Sequence, residues 1–298
     1  MSLNDFFAHV FLPLTLAWVM LGMGLSLTLH DFKQVLQQPK ALILGLCCQL
    51  LLLPAIAFAI ALAAPLSAGY QVGLILMAAC PGGISSGLVT HLFKGNVALS
   101  IALTTCNSFA TLFTIPLTVN WAMSLLMGET HSIHLPLSQT ALEIFVLTII
   151  PAFIGVAIRH RFPHFAANLD RPLRYIMPLM LGAAFLGVLY SKPSDPNENT
   201  FTAMLSIMPY ALLLNALGIS CTFAITRLLR FSPSIQITLP VEAGLHNSSL
   251  AIFIASSLLQ QPEMAMVGVA YGSVTFFTTV AWVWVIYKII AQNANEST

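Results

Sequence analysis

Apolar residues run through this chain in long blocks separated by short polar connections, and about 20 such residues are what a helix needs to cross a bilayer. Blocks at about 7–28, 40–63, 69–92, 96–125, 137–158, 174–191, 201–226, 234–258 and 264–288 predict nine spanning helices. Two blocks are interrupted. The third carries Cys80-Pro81-Gly82-Gly83-Ile84-Ser85-Ser86-Gly87, and the eighth carries Leu239-Pro240-Val241-Glu242-Ala243-Gly244-Leu245-His246-Asn247-Ser248-Ser249. Proline and glycine let a membrane helix break, which exposes carbonyls and half-helix ends that can ligate ions or small anions. The interruptions lie an odd number of crossings apart, so the two broken segments enter the membrane in opposite orientations. That pattern predicts an inverted five-helix repeat whose first copy, about 7–125, has lost its opening helix, and whose second copy occupies about 137–288. The binding site of such a repeat lies where the broken helices meet.

Composition agrees with an all-α polytopic membrane protein. The chain of 298 residues is 58% hydrophobic and 7% charged, with a mean hydropathy of +0.88, well above the apolar share of soluble domains. Nearly every residue falls in a block or a short connection, which predicts one transmembrane domain over 1–298 and no soluble catalytic domain. The first block is too long for the apolar core of a cleavable signal peptide, and Asp5 is the only charge before it, so it is expected to be retained. Basic residues give the orientation. Lys33, Lys40, Lys94, Arg159, Arg161, Arg171, Arg174, Arg227, Arg230 and Lys288 follow odd-numbered crossings, and only Lys192 falls on the other side, which predicts an outside N-terminus and a cytoplasmic C-terminus. The net charge of +1 speaks neither for nor against an acidic partner. Cys47, Cys48, Cys80, Cys106 and Cys221 all lie in apolar blocks without the spacing or partner histidines of a metal site, and neither a disulfide framework nor a metal cluster is expected.

One residue dominates the chemistry. Glu242 sits inside an apolar block, where an ionised acid costs about 2.5–3.5 kcal/mol on insertion scales, so an ion or proton site is the first reading and a structural hydrogen bond to a neighbouring helix the second. Glu143, in the first two turns of the fifth block, reads as an interfacial acid rather than part of a pathway. His131 and His134 read as solvated loop residues, and Trp18, Trp121, Trp282 and Trp284 as interfacial anchors. The stretch from Arg159 to Arg174, with Pro163 and Pro172, reads as a solvated linker touching anionic headgroups.

Four runs together resemble the bile acid:sodium symporter family, in order and spacing and over almost the whole chain. They are Leu21-Gly22-Met23-Gly24-Leu25-Ser26-Leu27-Thr28 followed by Asp31-Phe32, then Cys80-Pro81-Gly82-Gly83 with Ser85-Ser86, then Lys94-Gly95-Asn96-Val97-Ala98-Leu99-Ser100 with Thr104, and Glu242 to Asn247. The chain resembles the bacterial-type nine-span members, which implies an inner-membrane transporter with a core domain of two crossed broken helices beside a panel domain. It also implies sodium as the coupling ion, an organic anion as substrate, and no organic cofactor. Carried over, the first sodium site is Ser86, Ser100, Thr104 and Glu242, with Gly87 where the family's usual asparagine stands. The second is Gln49, Glu242 and the carbonyls of Ala243 and Leu245, with His246 in place of the usual glutamine. The resemblance assigns Asn247 to substrate contact, with bracing of the broken helix as the alternative. Ile84, where bacterial members usually have threonine, and Gly87 flank the same place. Each ion site has lost one amide ligand, and hard cations prefer oxygen donors. A proton shared by Glu242 and His246 could therefore replace one sodium, or a neutral His246 could simply hydrogen-bond across the crossing.

Two other classes stand beside this reading. Gly83-Ile84-Ser85-Ser86-Gly87 satisfies G-x-S-x-G and His246 could serve as its base, as in a hydrolase, but that motif needs a strand-to-helix elbow that an apolar helical setting does not provide. A channel or uncoupled facilitator would follow from degraded ion sites. The sequence favours a symporter working by alternating access, in which the cation binds first because unpaired Glu242 repels an anion.

Overall fold

The computed structural model describes residues 6–26, 38–83, 85–128, 136–190 and 200–296. Thr28, Asp31, Phe32, Lys33, Ile84, His131, His134 and Lys192 lie outside the described residues. Among those described the chain is all-helical, with one isolated antiparallel bridge between Gly82 and His246 and no named strand. Five helices are long and apolar enough to cross a membrane, and four shorter apolar helices, His9–Leu25, Ala68–Ala79, Tyr175–Val188 and Ser248–Leu258, accompany them. The protein is an all-α polytopic membrane protein.

In chain order, α1 is Leu12–Ser26, entered through a π-helical turn at Phe7–Phe11. Pro39–Ala63 forms α2 with a π turn at Cys48–Leu52, Ala68–Ala79 forms α3, Ser85–Leu92 forms α4 and Val97–Leu126 forms α5. Helix α6 combines Leu137–Ile144, a π turn at Phe145–Ile149 and Ile150–Arg161, and α7 is Pro163–Tyr190. Then follow α8 (Thr200–Leu228), α9 (Pro233–Gly244), α10 (Ser248–Phe253, continued by a π turn at Ile254–Leu258) and α11 (Pro262–Glu296).

The two breaks have local causes. Helix α3 stops at Ala79 because Pro81 pushes the residue before it out of the helical region, and Cys80 is extended at φ −71° and ψ 148°. Helix α9 stops at Gly244, where Leu245 turns extended at φ −113° and ψ 103°. The restart at α10 carries a side-chain cap of the kind that also opens α5. Asn247 Oδ1 accepts from Leu250 N at 3.1 Å at the start of α10, as Asn96 Oδ1 accepts from Leu99 N at 3.1 Å at the start of α5.

Packing divides the helices into two sets. Helices α6 and α7 pack against α1. The close approach of α1 to α6 depends on Gly24 and Gly155, since a Cβ on Gly155 would fall 2.4 Å from Leu21 O and 2.7 Å from Leu25 N. The second set surrounds the breaks: α3 packs on α2, α5 and α11, and α8 packs on α9 and α11. Contacts of α1 with α10, of α6 with α5 and of α7 with α11 join the sets.

The stretch expected as a solvated linker is helical instead. Helix α6 continues through Arg161, and α7 starts at Pro163 with only Phe162 between. Pro163 opens α7, where proline is compatible with a helix, and Pro172 lies inside it, so charge and proline together do not make this stretch a loop.

Candidate ion and substrate site

The interrupted segments bind each other through their backbones. Gly83 N donates to Leu245 O at 2.9 Å and Asn247 N donates to Pro81 O at 2.8 Å, so the extended residues between α3 and α4 pair antiparallel with those between α9 and α10. This short pairing satisfies backbone groups that would otherwise be bare inside the membrane.

Glu242, in the last turn of α9, is 1% exposed. Its Oε1 accepts from Ser100 Oγ, and its Oε2 accepts from Thr104 Oγ1 at 3.1 Å and from Gln49 Nε2 at 3.3 Å. Ser100 and Thr104 are four residues apart on α5, hence on one face. Gln49 reaches in from the π turn of α2, a geometry that widens the helix and re-aims a side chain, and its Nε2 also donates to Glu242 O at 3.3 Å. Ser86 Oγ donates to Gly83 O at 2.9 Å and lies 3.5 Å from Ser100 Oγ. The carboxylate is thus ringed by hydroxyl and amide groups from α2, α4 and α5, and no basic side chain pairs with it among the described residues. Hydrogen bonds offset part of the desolvation of a buried charge but leave its net charge in place, so a hard cation among these oxygens would complete the site.

Gly82 shapes this ring, a role the sequence does not signal. A Cβ there would fall 2.5 Å from Glu242 Oε2 and 2.9 Å from Thr104 Oγ1, so the carboxylate sits against bare backbone. Gly87, where the resemblance implies an asparagine, faces open space: a Cβ added to it would meet nothing within 4 Å.

His246 is not brought to Glu242. Its Nδ1 lies 2.9 Å from Tyr271 Oη, and Tyr271 Oη donates to Gly244 O at 2.9 Å. With its only proton committed to Gly244, the tyrosine accepts from histidine, which assigns the Nδ1–H tautomer and leaves buried Nε2 as an acceptor without a partner among the described residues. Gly244 O also accepts from Asn215 Nδ2 at 2.8 Å, and Asn215 Oδ1 accepts from Thr278 Oγ1 at 2.9 Å. Tyr271 and Asn215 were missed from the sequence; the available signal was an amide and a phenol inside otherwise apolar blocks.

Of the second expected ion set, Gln49 and Glu242 meet, Leu245 O is engaged by Gly83, and the His246 ring turns to Tyr271. The carbonyl of Ala243 lies near Gly218, 3.1 Å from where a Cβ of that glycine would stand. Asn247 uses Oδ1 for its cap, which leaves only the donor end of its amide for a ligand. Ile84, between Gly83 and Ser85, is outside the described residues.

Glu143 lies in the second turn of α6. It accepts from Gln139 Nε2 at 3.0 Å and lines a cavity of about 580 Å³ between the starts of α1 and α6 and the end of α10.

The family model for the Sodium Bile acid symporter family matches residues 13–192, more than half of the chain. The chain belongs to this family. It is 30% identical over 253 residues to the "Probable sodium/metabolite cotransporter BASS2, chloroplastic" of Oryza sativa subsp. japonica, covering 84% of this chain and 58% of that protein. It is 30% identical over 249 residues to the "Uncharacterized sodium-dependent transporter YocS" of Bacillus subtilis, covering 83% of this chain and 74% of that one. The "Ileal sodium/bile acid cotransporter" of Mus musculus is 25% identical over 181 residues, 60% of this chain and 51% of its own. Membership in the symporter family sets the hydrolase reading aside, and the His246 ring is committed to Tyr271.

Proposed function

We propose that this protein is a secondary active transporter of the bacterial inner membrane that couples sodium to the movement of an organic anion by alternating access. The observation that carries the reading is the buried Glu242 carboxylate, ringed by Ser100, Thr104, Gln49 and Ser86 beside the pairing of two broken segments, with no basic partner among the described residues. Sodium takes the oxygens of Ser86, Ser100, Thr104 and Glu242, and cancels the charge that would repel an anion. The anion then docks against the free donor end of Asn247, with Gly87 beside it. Gln49, Ala243, Leu245 and His246 form, with Glu242, the second, weaker cation position: Gln49 Oε1 is buried without a partner among the described residues, but Leu245 O already accepts from Gly83 and the His246 ring turns to Tyr271.

The five long and four shorter apolar helices support nine crossings, and their division supports a panel of α1, α6 and α7 moving against a core formed by the rest. The distribution of basic residues supports an outside N-terminus and a cytoplasmic C-terminus. Positions of α9 and α10 relative to α3 and α4 support the inverted repeat, because the two breaks pair antiparallel.

The test needs no known substrate. Purified protein is melted in NaCl and KCl at matched ionic strength, together with Glu242→Ala, Ser100→Ala and Thr104→Ala. A ligand of the folded state raises its stability by mass action. A sodium-specific rise in the wild type, lost in Glu242→Ala and reduced in the hydroxyl variants, is the expected result. A wild type that melts alike in both salts refutes sodium coupling at this site.

A further inference from the structure

The cavity between α1, α6 and α10 shares no residue with the Glu242 site, and its construction is unusual. Three of the four π-helical turns in the described chain converge on it: His9 comes from Phe7–Phe11, Val146 and Leu147 from Phe145–Ile149, and Ser257 and Leu258 from Ile254–Leu258. π turns are rare and occur frequently at functional sites. Three independent ones facing one space mark a built cavity rather than a packing gap. At about 580 Å³ it falls within the range of small-molecule pockets, about 300–1,000 Å³.

Its chemistry differs from that expected for an anion. Apolar walls come from Pro13, Leu142, Val146, Leu147, Phe253 and Leu258, and the one acid on the wall is Glu143. No lysine or arginine lines the cavity, and His9, also on the wall, makes no ion pair with Glu143 among the described residues. Gln139 Nε2 donates to one carboxylate oxygen, Oε1. The other oxygen has no partner among the described residues, so the cavity presents a negative acceptor above an apolar wall.

We propose that this cavity binds a primary ammonium group attached to an apolar body, with the ammonium seated on Glu143. Such a group supplies the missing positive charge and donates up to three hydrogen bonds to the carboxylate and nearby oxygens. An anion is repelled at the same position. A water-soluble amine and the headgroup of phosphatidylethanolamine share this chemistry.

The experiment uses the full chain in phosphatidylcholine nanodiscs and follows 4-fluorobenzylammonium, 4-fluorobenzyl alcohol and 4-fluorobenzoate by ¹⁹F NMR, with protein-free discs as blank. Saturable binding of the ammonium probe over the other two is expected. Glu143→Gln keeps the size of the side chain and should bind it about ten-fold more weakly. Val146→Trp, which fills the cavity, should abolish binding. Both variants should keep the wild-type sodium response in melting, which shows that they fold and separates this proposal from the Glu242 reading. Repeating the titration with equal parts phosphatidylethanolamine identifies the source: weaker probe binding means that the lipid headgroup competes, and unchanged binding means a soluble amine. Undiminished binding in Glu143→Gln, preference for the benzoate, or no saturable binding of the ammonium probe to the wild type overturns the proposal.

Discussion

Two glycines of one motif should respond oppositely to the same substitution. In Gly82→Ala the new Cβ would stand 2.5 Å from Glu242 Oε2, about 0.9 Å inside the 3.4 Å at which ordinary contact begins. The carboxylate cannot simply swing away, because Ser100, Thr104 and Gln49 hold it, and Thr104 Oγ1 itself would lie 2.9 Å from the methyl. Overpacking of this kind costs about 1–3 kcal/mol. At about 2–4 °C per kcal/mol, melting in KCl should fall by about 2–12 °C. The larger signature lies in the ion response. Sodium at one hundred times its Kd stabilises the wild type by about 2.7 kcal/mol, a rise of about 5–10 °C over KCl. Displacing the carboxylate should remove most of that rise. Gly87→Ala meets nothing within 4 Å and replaces a helical glycine, so its melting in KCl should be unchanged or higher by up to about 1 kcal/mol, with the sodium response intact. Differential scanning fluorimetry of the three proteins in matched NaCl and KCl series reads both quantities. A Gly82→Ala protein with the full sodium rise would refute the claim that the carboxylate position against Gly82 builds the ion site.

Four further outcomes follow from packing and hydrogen bonding. Tyr271→Phe keeps the ring but removes the donor to Gly244 O and the acceptor for His246 Nδ1, at a cost of about 1–3 kcal/mol in melting or denaturant unfolding. Asn215→Leu removes a second donor to the same carbonyl, so a double-mutant cycle with Tyr271→Phe should show coupling of about 0.5–3 kcal/mol; strict additivity would contradict a shared network. Gly155→Leu drives a side chain into the backbone of α1 and should destabilise towards the upper end of about 1–3 kcal/mol, whereas Gly182→Leu on α7, with open space around it, should melt like the wild type. Asn96→Ala and Asn247→Ala should each cost about 0.5–2 kcal/mol as lost helix caps, and a neutral Asn247→Ala would remove its bracing role.

What the sequence made legible, and what it did not, follows from the physics of each element. The breaks were legible because proline and glycine are conspicuous in an apolar run, and Glu242 because a charge there needs a reason. The hydroxyl ligands were not legible by pattern. Thr105, Ser108 and Thr148 return their hydroxyls to the carbonyl of the residue four before, at 2.6–2.8 Å, while Ser100 and Thr104 reach Glu242, and nothing local distinguishes the two behaviours. Only the position of α9 against α5 decides, so these residues came from the resemblance. Tyr271 and Asn215 were hidden for the same reason: their partner, Gly244 O, lies on another helix. The cavity was hidden more deeply. A π turn inserts a residue without any mark in composition, and one extra residue rotates the rest of a helix by about 100° relative to a regular period. Faces on either side of the turns in α6 and α10 therefore cannot be aligned from spacing alone. Glu143 read as an interfacial acid from its place in the first two turns of its block, and nothing in that place shows that Ser257 and Leu258, on the π turn of α10, complete a cavity wall beside it.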